Sequence, residues 1–250
     1  MIKNFNIVLS TNGNYKLQNR IAYPLYSELL KHVSPDFAYE MHKTGFTPIS
    51  QYVEIEKDNV IWHLSLFGEK SINECTKAID ELSTFVIKNV NMVFYVKSKK
   101  SEYITFDDII NSAGDSYDMS YRTIQFVTPT SFKSGNQYAI FPSSDLILKN
   151  LLKKWNNYCC NIKLEDQDMA KILLSGVEIA GYRLSSAYYL MKGQRIRSFC
   201  GYIRLCAKLP APIMQIYKAL LVFSKYSGIG IKTALGMGGT KLIPDGKAKK

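Results

Sequence analysis

One histidine at the end of a predicted helix and one dense cluster of glycines are the features of this chain with the most chemistry to offer. His42 stands in Tyr39-Glu40-Met41-His42-Lys43, where the macrodipole of a helix C-terminus favours a cation and an imidazole can exchange protons. A lone histidine is more often structural than catalytic, and the chain has only two others, His32 and His63. His63 alternates between Trp62 and Leu64 in a strand pattern and reads as a core-edge group. Five of the fifteen glycines fall between 228 and 239, in Gly228-Ile229-Gly230-Ile231-Lys232-Thr233-Ala234-Leu235-Gly236-Met237-Gly238-Gly239. Glycine permits positive φ and close approach of backbone N–H groups to an anion, so a lysine-bearing glycine loop can cradle a phosphate. A turn with tight helix–sheet packing asks for the same residues. The nucleotide motifs do not fit. A Walker loop needs Lys directly after the second Gly of G-x-x-x-x-G, and a dinucleotide fingerprint runs from strand to helix, whereas this segment runs from helix to terminal strand.

Metal and thiol chemistry find little support. Cys75, Cys159, Cys160, Cys200 and Cys206 form no C-x-x-C pair and, with three histidines, make no zinc spacing. They read as reduced thiols in the core of a cytosolic protein. Asp107-Asp108, and Asp166 with Asp168, suit the first turns of helices better than a metal. No metal and no cofactor are expected.

The elements that must position these groups follow a repeated order. Residues 3–9 alternate as a half-buried strand, a helix covers roughly 23–33, and Ser34-Pro35 supplies an N-cap and N1 proline for a short helix ending near Gly45. Residues 51–56 and 60–67 read as strands around a turn at Lys57-Asp58-Asn59. Ile72, Cys75, Ile79, Leu82 and Val86 have helical spacing, and 90–97 returns to strand. After a Ser-, Gly- and Asp-rich stretch at 111–118 the order recurs. It gives a strand at 121–128, helices at 142–155 and 165–175, strands at 177–190 and 195–208 joined at Met191-Lys192-Gly193-Gln194, an apolar helix at 213–225, and a last strand at 238–243. This is the ferredoxin-like order, and it predicts an α+β chain of two tandem ferredoxin-like (RRM-like) βαββαβ domains. The expected boundaries are 1–115, 120–244 and a basic tail at 245–250; 250 residues suit two domains of about 100–150. No run approaches the roughly 18 apolar residues of a membrane span, and the first ten residues lack a signal-peptide pattern. A cytoplasmic protein without a membrane partner is expected.

The charge is one-sided. Residues 151–250 carry 17 Lys and Arg against 5 Asp and Glu, and residues 1–150 carry 15 against 16, so the net +11 belongs to the last hundred residues. Such a field suits a polyanion, nucleic acid above all, although a solvated basic face is the plainer account. The hairpin of 177–208 concentrates it, with Arg195 and Arg197 on one strand face, Lys192 at the tip, and Tyr182, Tyr188, Tyr189 and Tyr202 interspersed for stacking.

Three segments in order then complete a family pattern. They are Ser34-Pro35-Asp36-Phe37 with Met41-His42-Lys43-Thr44-Gly45; Phe126-Val127-Thr128-Pro129-Thr130-Ser131-Phe132 with Phe141-Pro142 and the helix ending Lys154-Trp155-Asn156; and Phe223-Ser224-Lys225-Tyr226-Ser227 running into the glycine segment. Together they resemble the CRISPR-associated endoribonuclease called Cas six, of the repeat-associated mysterious protein (RAMP) superfamily. The resemblance implies a metal-independent enzyme that binds CRISPR precursor RNA and cuts each repeat once. The 2′-hydroxyl attacks the neighbouring phosphate and leaves 2′,3′-cyclic phosphate and 5′-hydroxyl ends. It implies catalysis by His42, with Tyr26 on the preceding helix (Ser27 beside it) and Lys43 as the nearest matches to a family tyrosine and lysine. RNA is expected on Lys192, Arg195, Arg197, Lys225, Gly228, Gly230, Lys232, Gly236 and Gly238. Other Cas proteins of an effector complex and a second copy of the chain are further candidate partners. The alternative is a RAMP-fold subunit that binds guide RNA without cutting; a His42 buried and far from the basic hairpin would favour it.

Overall fold

The computed structural model describes residues 1–11, 17–43, 46–56, 59–87, 91–114, 120–135 and 137–243. The expected turn at Lys57-Asp58, the helix end at Gly45 and the tail at 245–250 lie outside these residues. The chain divides into two compact units, Met1–Ile104 with Lys232–Gly236, and Thr105–Ile231 with Met237–Lys250.

The first unit holds β1 (Ile2–Thr11), a 3-10 turn (Asn19–Ile21), α1 (Ala22–Leu29), α2 (Pro35–Lys43), β2 (Ile49–Glu56), β3 (Asn59–Phe67), α3 (Glu69–Glu81), β4 (Thr84–Ile87) and β5 (Met92–Ile104). Its sheet runs β2-β3-β1-β5-β4, with every neighbouring pair antiparallel. The predicted helix over 72–86 stops at Glu81. Leu82 turns extended, and Thr84, Val86 and Ile87, β-branched residues that favour strand, pair with β5 as an extra edge strand. Phe5, Ile7 and Leu9 bury one face of β1 beneath Leu25, Leu29, Phe37, Ile72, Cys75 and Ile79 from the helices. Buried Trp62 donates to Gln51 Oε1 at 2.7 Å, and Gln51 Nε2 donates to the carbonyls of Ala22 and Ala234 at 3.0 and 3.1 Å. This satisfied polar chain ties a second 3-10 turn (Thr233–Leu235) to the unit's core.

The second unit holds α4 (Phe106–Gly114), β6 (Tyr121–Thr130), β7 (Phe132–Ser134), β8 (Gln137–Ala139), α5 (Ser144–Tyr158), α6 (Gln167–Ser175), β9 (Val177–Met191), β10 (Gln194–Ala207), α7 (Ala211–Ser227) and β11 (Thr240–Ile243). Its sheet order, β11-β6-β10-β9, repeats β5-β1-β3-β2 of the first unit: the first strand lies between the last and the third. Both are the ferredoxin-like arrangement, the first with β4 added and the second with the β7-β8 hairpin.

The boundary lies earlier than the sequence suggested. The stretch at 111–118 looks like a linker, but its first four residues end α4, which belongs to the second unit. Phe106 packs edge-on against Trp155, ring centroids 4.9 Å apart, and lies 5.8 Å from Phe223. Asp108 caps α4 by accepting from the Thr105 N–H at 2.8 Å, and Asp166 caps α6, as expected of acidic residues at helix starts. Cys75, Cys159 and Cys206 are buried and Cys200 half-buried, but Cys160 is exposed, a correction to the expectation of five core thiols. Burial pushes the Cys75 thiol up to about 12. Among the described residues no helix is long and apolar enough to cross a membrane.

Candidate functional site

Helix α2 is built to hold its last turn in solvent. Phe37 and Met41 anchor one side in the core, and Ser34 caps the start by accepting from the Phe37 N–H at 3.3 Å. Glu74 on α3 accepts from both the Ser34 N–H and its hydroxyl, at 2.9 and 2.8 Å, and Lys70 pairs with Glu40. Those two Ser34 bonds hold the Glu74 carboxyl below its usual range. The far end of the helix carries His42 and Lys43, both exposed. The Lys43 ammonium lies 4.3 Å from the centroid of Tyr39, a ring 58% exposed. Tyr39 sits one helical turn before both residues, so the end of α2 groups an imidazole, an ammonium and a phenol. Sequence reasoning quoted Tyr39 without giving it a role; its i, i+3 and i, i+4 spacing to His42 and Lys43 was the available signal.

Tyr26 lies elsewhere. It is 4% exposed in the core of the first unit, and burial, with smaller contributions from Cys75 and Tyr23, raises its hydroxyl far above the ordinary phenol range. Such a phenol stays protonated and out of reach of a large substrate. Ser27 beside it is half-exposed.

The glycine segment is packed and internally bonded. Gly228, Gly230, Gly236 and Gly238 have positive φ and are buried. A Cβ at Gly230 would stand 2.5 Å from the Ser131 carbonyl oxygen. The amides of Gly228, Gly230 and Gly238 donate to Ser224 O, Asn150 Oδ1 and Pro129 O, and those of Ile229, Ile231 and Gly239 to Gly238 O, Ser131 O and Thr128 Oγ1. Close packing therefore accounts for Gly228, Gly230 and Gly238, so three of the four glycine amides expected to cradle a phosphate are already committed. Asn150 and Lys154, one turn apart on α5, hold the segment from below. The buried Lys154 ammonium donates to the carbonyls of Ser227 and Gly228 at 2.8 and 3.0 Å, at the C-terminus of α7. Burial draws its pKa well below the ordinary lysine value. Of the lysines assigned to RNA here, Lys225 is exposed in the last turn of α7, and Lys232 is half-buried in a left-handed conformation in the first unit.

The hairpin of β9 and β10 turns at Lys192-Gly193, with φ of 48° and 75°, the two positive values of a tight two-residue turn. Arg195 stacks on Tyr188 at 4.4 Å. Arg195 and Arg197 come together, as their alternation predicted, in a depression of about 370 Å³ shared with Gln137 and Tyr138 of β8. Those two were missed because so short a hairpin carries little periodic signal. Guanidinium groups, an amide and a 42% exposed phenol in one recess suit phosphate and base contacts.

The comparisons agree with this arrangement. The family model described as CRISPR-associated endoribonuclease Cas6 matches residues 124–240. A CRISPR-associated endoribonuclease Cas6 of Streptococcus thermophilus is 28% identical over 222 residues, covering 89% of this chain and 91% of that protein. Among solved structures, a Cas6 product complex superposes with a TM-score of 0.80 at 17% identity, covering 97% of this chain and 100% of that one. Thermus thermophilus Cas6 gives 0.75 at 18% identity, with 97% and 98% covered. Taken with the paired ferredoxin-like units and the three sequence segments, these matches show a chain similar to CRISPR-associated endoribonucleases Cas6 over most of its length.

Proposed function

We propose that this endoribonuclease processes CRISPR precursor RNA, cutting each repeat at one phosphodiester by metal-independent attack of the 2′-hydroxyl on the adjacent phosphate. The new P–O2′ bond forms as the P–O5′ bond breaks, the 2′-hydroxyl loses its proton and the leaving 5′-oxygen gains one. The products are a 2′,3′-cyclic phosphate and a 5′-hydroxyl. His42 moves one of these protons, a role worth about 10²–10⁴-fold in rate. Lys43 offsets the charge that grows on the non-bridging oxygens. Tyr39, beside Lys43 and exposed, is better placed for a hydrogen bond to the substrate than buried Tyr26. The repeat is held by the second unit through Lys192, Arg195, Arg197 and Lys225.

The exposed imidazole of His42 at the end of a firmly anchored helix carries this reading, because a buried one would have favoured a pure RNA binder. Among the described residues no three His, Cys, Asp or Glu side chains converge on a point that could hold a metal ion. The test is a panel of end-labelled CRISPR repeats incubated with the protein in EDTA. Cleavage at one phosphodiester in one repeat supports the proposal. Tight binding without cleavage, in EDTA and in magnesium alike, would select the guide-RNA-binding alternative.

A further inference from the structure

Five residues between Gly228 and Gly238 have positive φ: 61° at Gly228, 90° at Gly230, 56° at Lys232, 99° at Gly236 and 70° at Gly238. Four of them are glycine. At the fifth, in the left-handed region, a lysine is kept where a Cβ costs free energy and glycine would cost none. The turn that follows is held firmly. The Lys232 carbonyl accepts from the Leu235 N–H at 2.9 Å, Leu235 packs on the core of the first unit, and the Ala234 carbonyl accepts from Gln51 Nε2 at 3.1 Å. Gln51 is 1% exposed, and its partners fix which way its amide points. Its Nε2 also donates to the carbonyl of Ala22, at the start of α1, at 3.0 Å, and its Oε1 accepts from Trp62 Nε1 at 2.7 Å. Lys232 itself is half-buried, and among the described residues its ammonium has no carboxylate partner.

We propose that Gln51 is a positioning residue for the bound RNA: it fixes the turn that holds Lys232 in its left-handed conformation, so that the ammonium meets a phosphate on the unit that also carries His42. A strained backbone persists where its surroundings over-determine it, and here the buried amide of Gln51 and the Leu235 bond do so. Packing alone would favour glycine at 232, as at the four other positive-φ positions. A general need for positive charge would be met without strain by a residue such as the exposed Lys225. What remains is a need for this cation in this place. Gln51 is buried, so it reaches the RNA only through the turn. The inference rests on the reading of the substrate as CRISPR repeat RNA, and adds to it a phosphate contact on the first unit whose geometry is set from the core.

The experiment measures fluorescence anisotropy of the full chain with a labelled CRISPR repeat over a salt series, alongside thermal unfolding of each variant. The repeat carries 2′-fluorine throughout, which removes the nucleophile and keeps it intact. Lys232→Gly should melt no lower than the unmodified protein, because the left-handed strain is gone, yet bind the repeat about tenfold more weakly, as loss of one charged contact implies. Its salt slope should fall by about one unit or less. Lys232→Arg should bind like the unmodified protein, whereas Lys232→Asn, which suits the left-handed region without a charge, should bind like Lys232→Gly. Gln51→Met should melt lower and lose about the same affinity and slope, and adding Lys232→Gly to it should weaken binding no further. If Gln51→Met does not fold, Trp62→Phe makes the same comparison, since it removes the donor that orients Gln51 and keeps a ring in the core. Unchanged affinity and slope in Lys232→Gly would overturn the phosphate contact. Losses that add in the double variant would show Gln51 acting by another route, such as its bond to Ala22, and would overturn its positioning role. Failure of the unmodified protein to cleave any natural repeat would count against the nuclease reading alone, because the comparison of affinities does not depend on cutting.

Discussion

An imidazole in solvent contributes little to stability, so its removal tests chemistry with little interference from folding. His42→Ala should lower single-turnover cleavage by at least about a hundredfold, with RNA affinity within twofold. Cleavage near the unmodified rate would move the proton transfer to another group. Tyr26→Phe should leave cleavage intact because the hydroxyl it removes is buried. Glu74 holds the other end of the His42 helix, and the sign of its effect can be worked out. Its carboxyl is lowered from an ordinary value of 4.5 by the Ser34 bonds, so its stabilisation is whole above that value and is lost as pH falls through the lower folded value. A Glu74→Gln variant should therefore melt lower than the unmodified protein at neutral pH, and the gap should close in acid; a gap that persists well below pH 4.5 would mean that charge is not what Glu74 contributes. His42 was legible as a helix-end histidine, whereas the burial of Tyr26 was not. Sequence spacing puts a tyrosine on a helix, but which face turns inward depends on partners such as Cys75 on α3, far along the chain.

Among the elements, most strands and helices were legible because their apolar periodicity is strong, as in β1 and α5. The failures have local causes. β4 was absorbed into a predicted helix because Leu82 and Val86 happen to continue the spacing of α3, while α4, not recognised as a helix, fell within 1–115 because its last turn begins the Ser-, Gly- and Asp-rich stretch. The glycine segment is the instructive case. Its composition suits an anion cradle and a packed turn equally, and only the amide partners distinguish them. One signal was present: Lys154 interrupts the apolar run Leu151, Leu152 and Trp155, a place where a cation needs a buried partner. Lys154→Met should remove the ammonium bonds to the Ser227 and Gly228 carbonyls, leaving the Gly228 carbonyl with only the Ser227 hydroxyl, and cost about 1–3 kcal/mol. Gly230→Ala should cost about as much or more, since positive φ and the Ser131 oxygen both oppose a side chain. Thermal and urea unfolding check both; melting at the unmodified temperature would show that the loop is not held as described.

For the whole molecule, the duplicated fold and the one-sided charge were both readable before any coordinates, one from the order of elements and the other from counting. What counting could not give is the distribution of the basic residues. Arg195 and Arg197 share a depression on the second unit, while Lys232 belongs to the first. If Lys192, Arg195 and Arg197 contact phosphates, the logarithm of RNA affinity should fall steeply with that of salt, and each Ala substitution should flatten the slope by about one unit or less. A slope indifferent to all three would place the RNA elsewhere on the protein. The central claim is that this protein draws its nucleophile from the RNA itself. The most direct test is single-turnover cleavage in EDTA of a repeat carrying one 2′-deoxyribose immediately before the scissile phosphate. Cleavage should vanish while binding is retained, and the same substitution one nucleotide away should have little effect. Cutting that survives the deoxy substitution, or that begins only when magnesium is added, would mean an activated water is the nucleophile and would contradict the account.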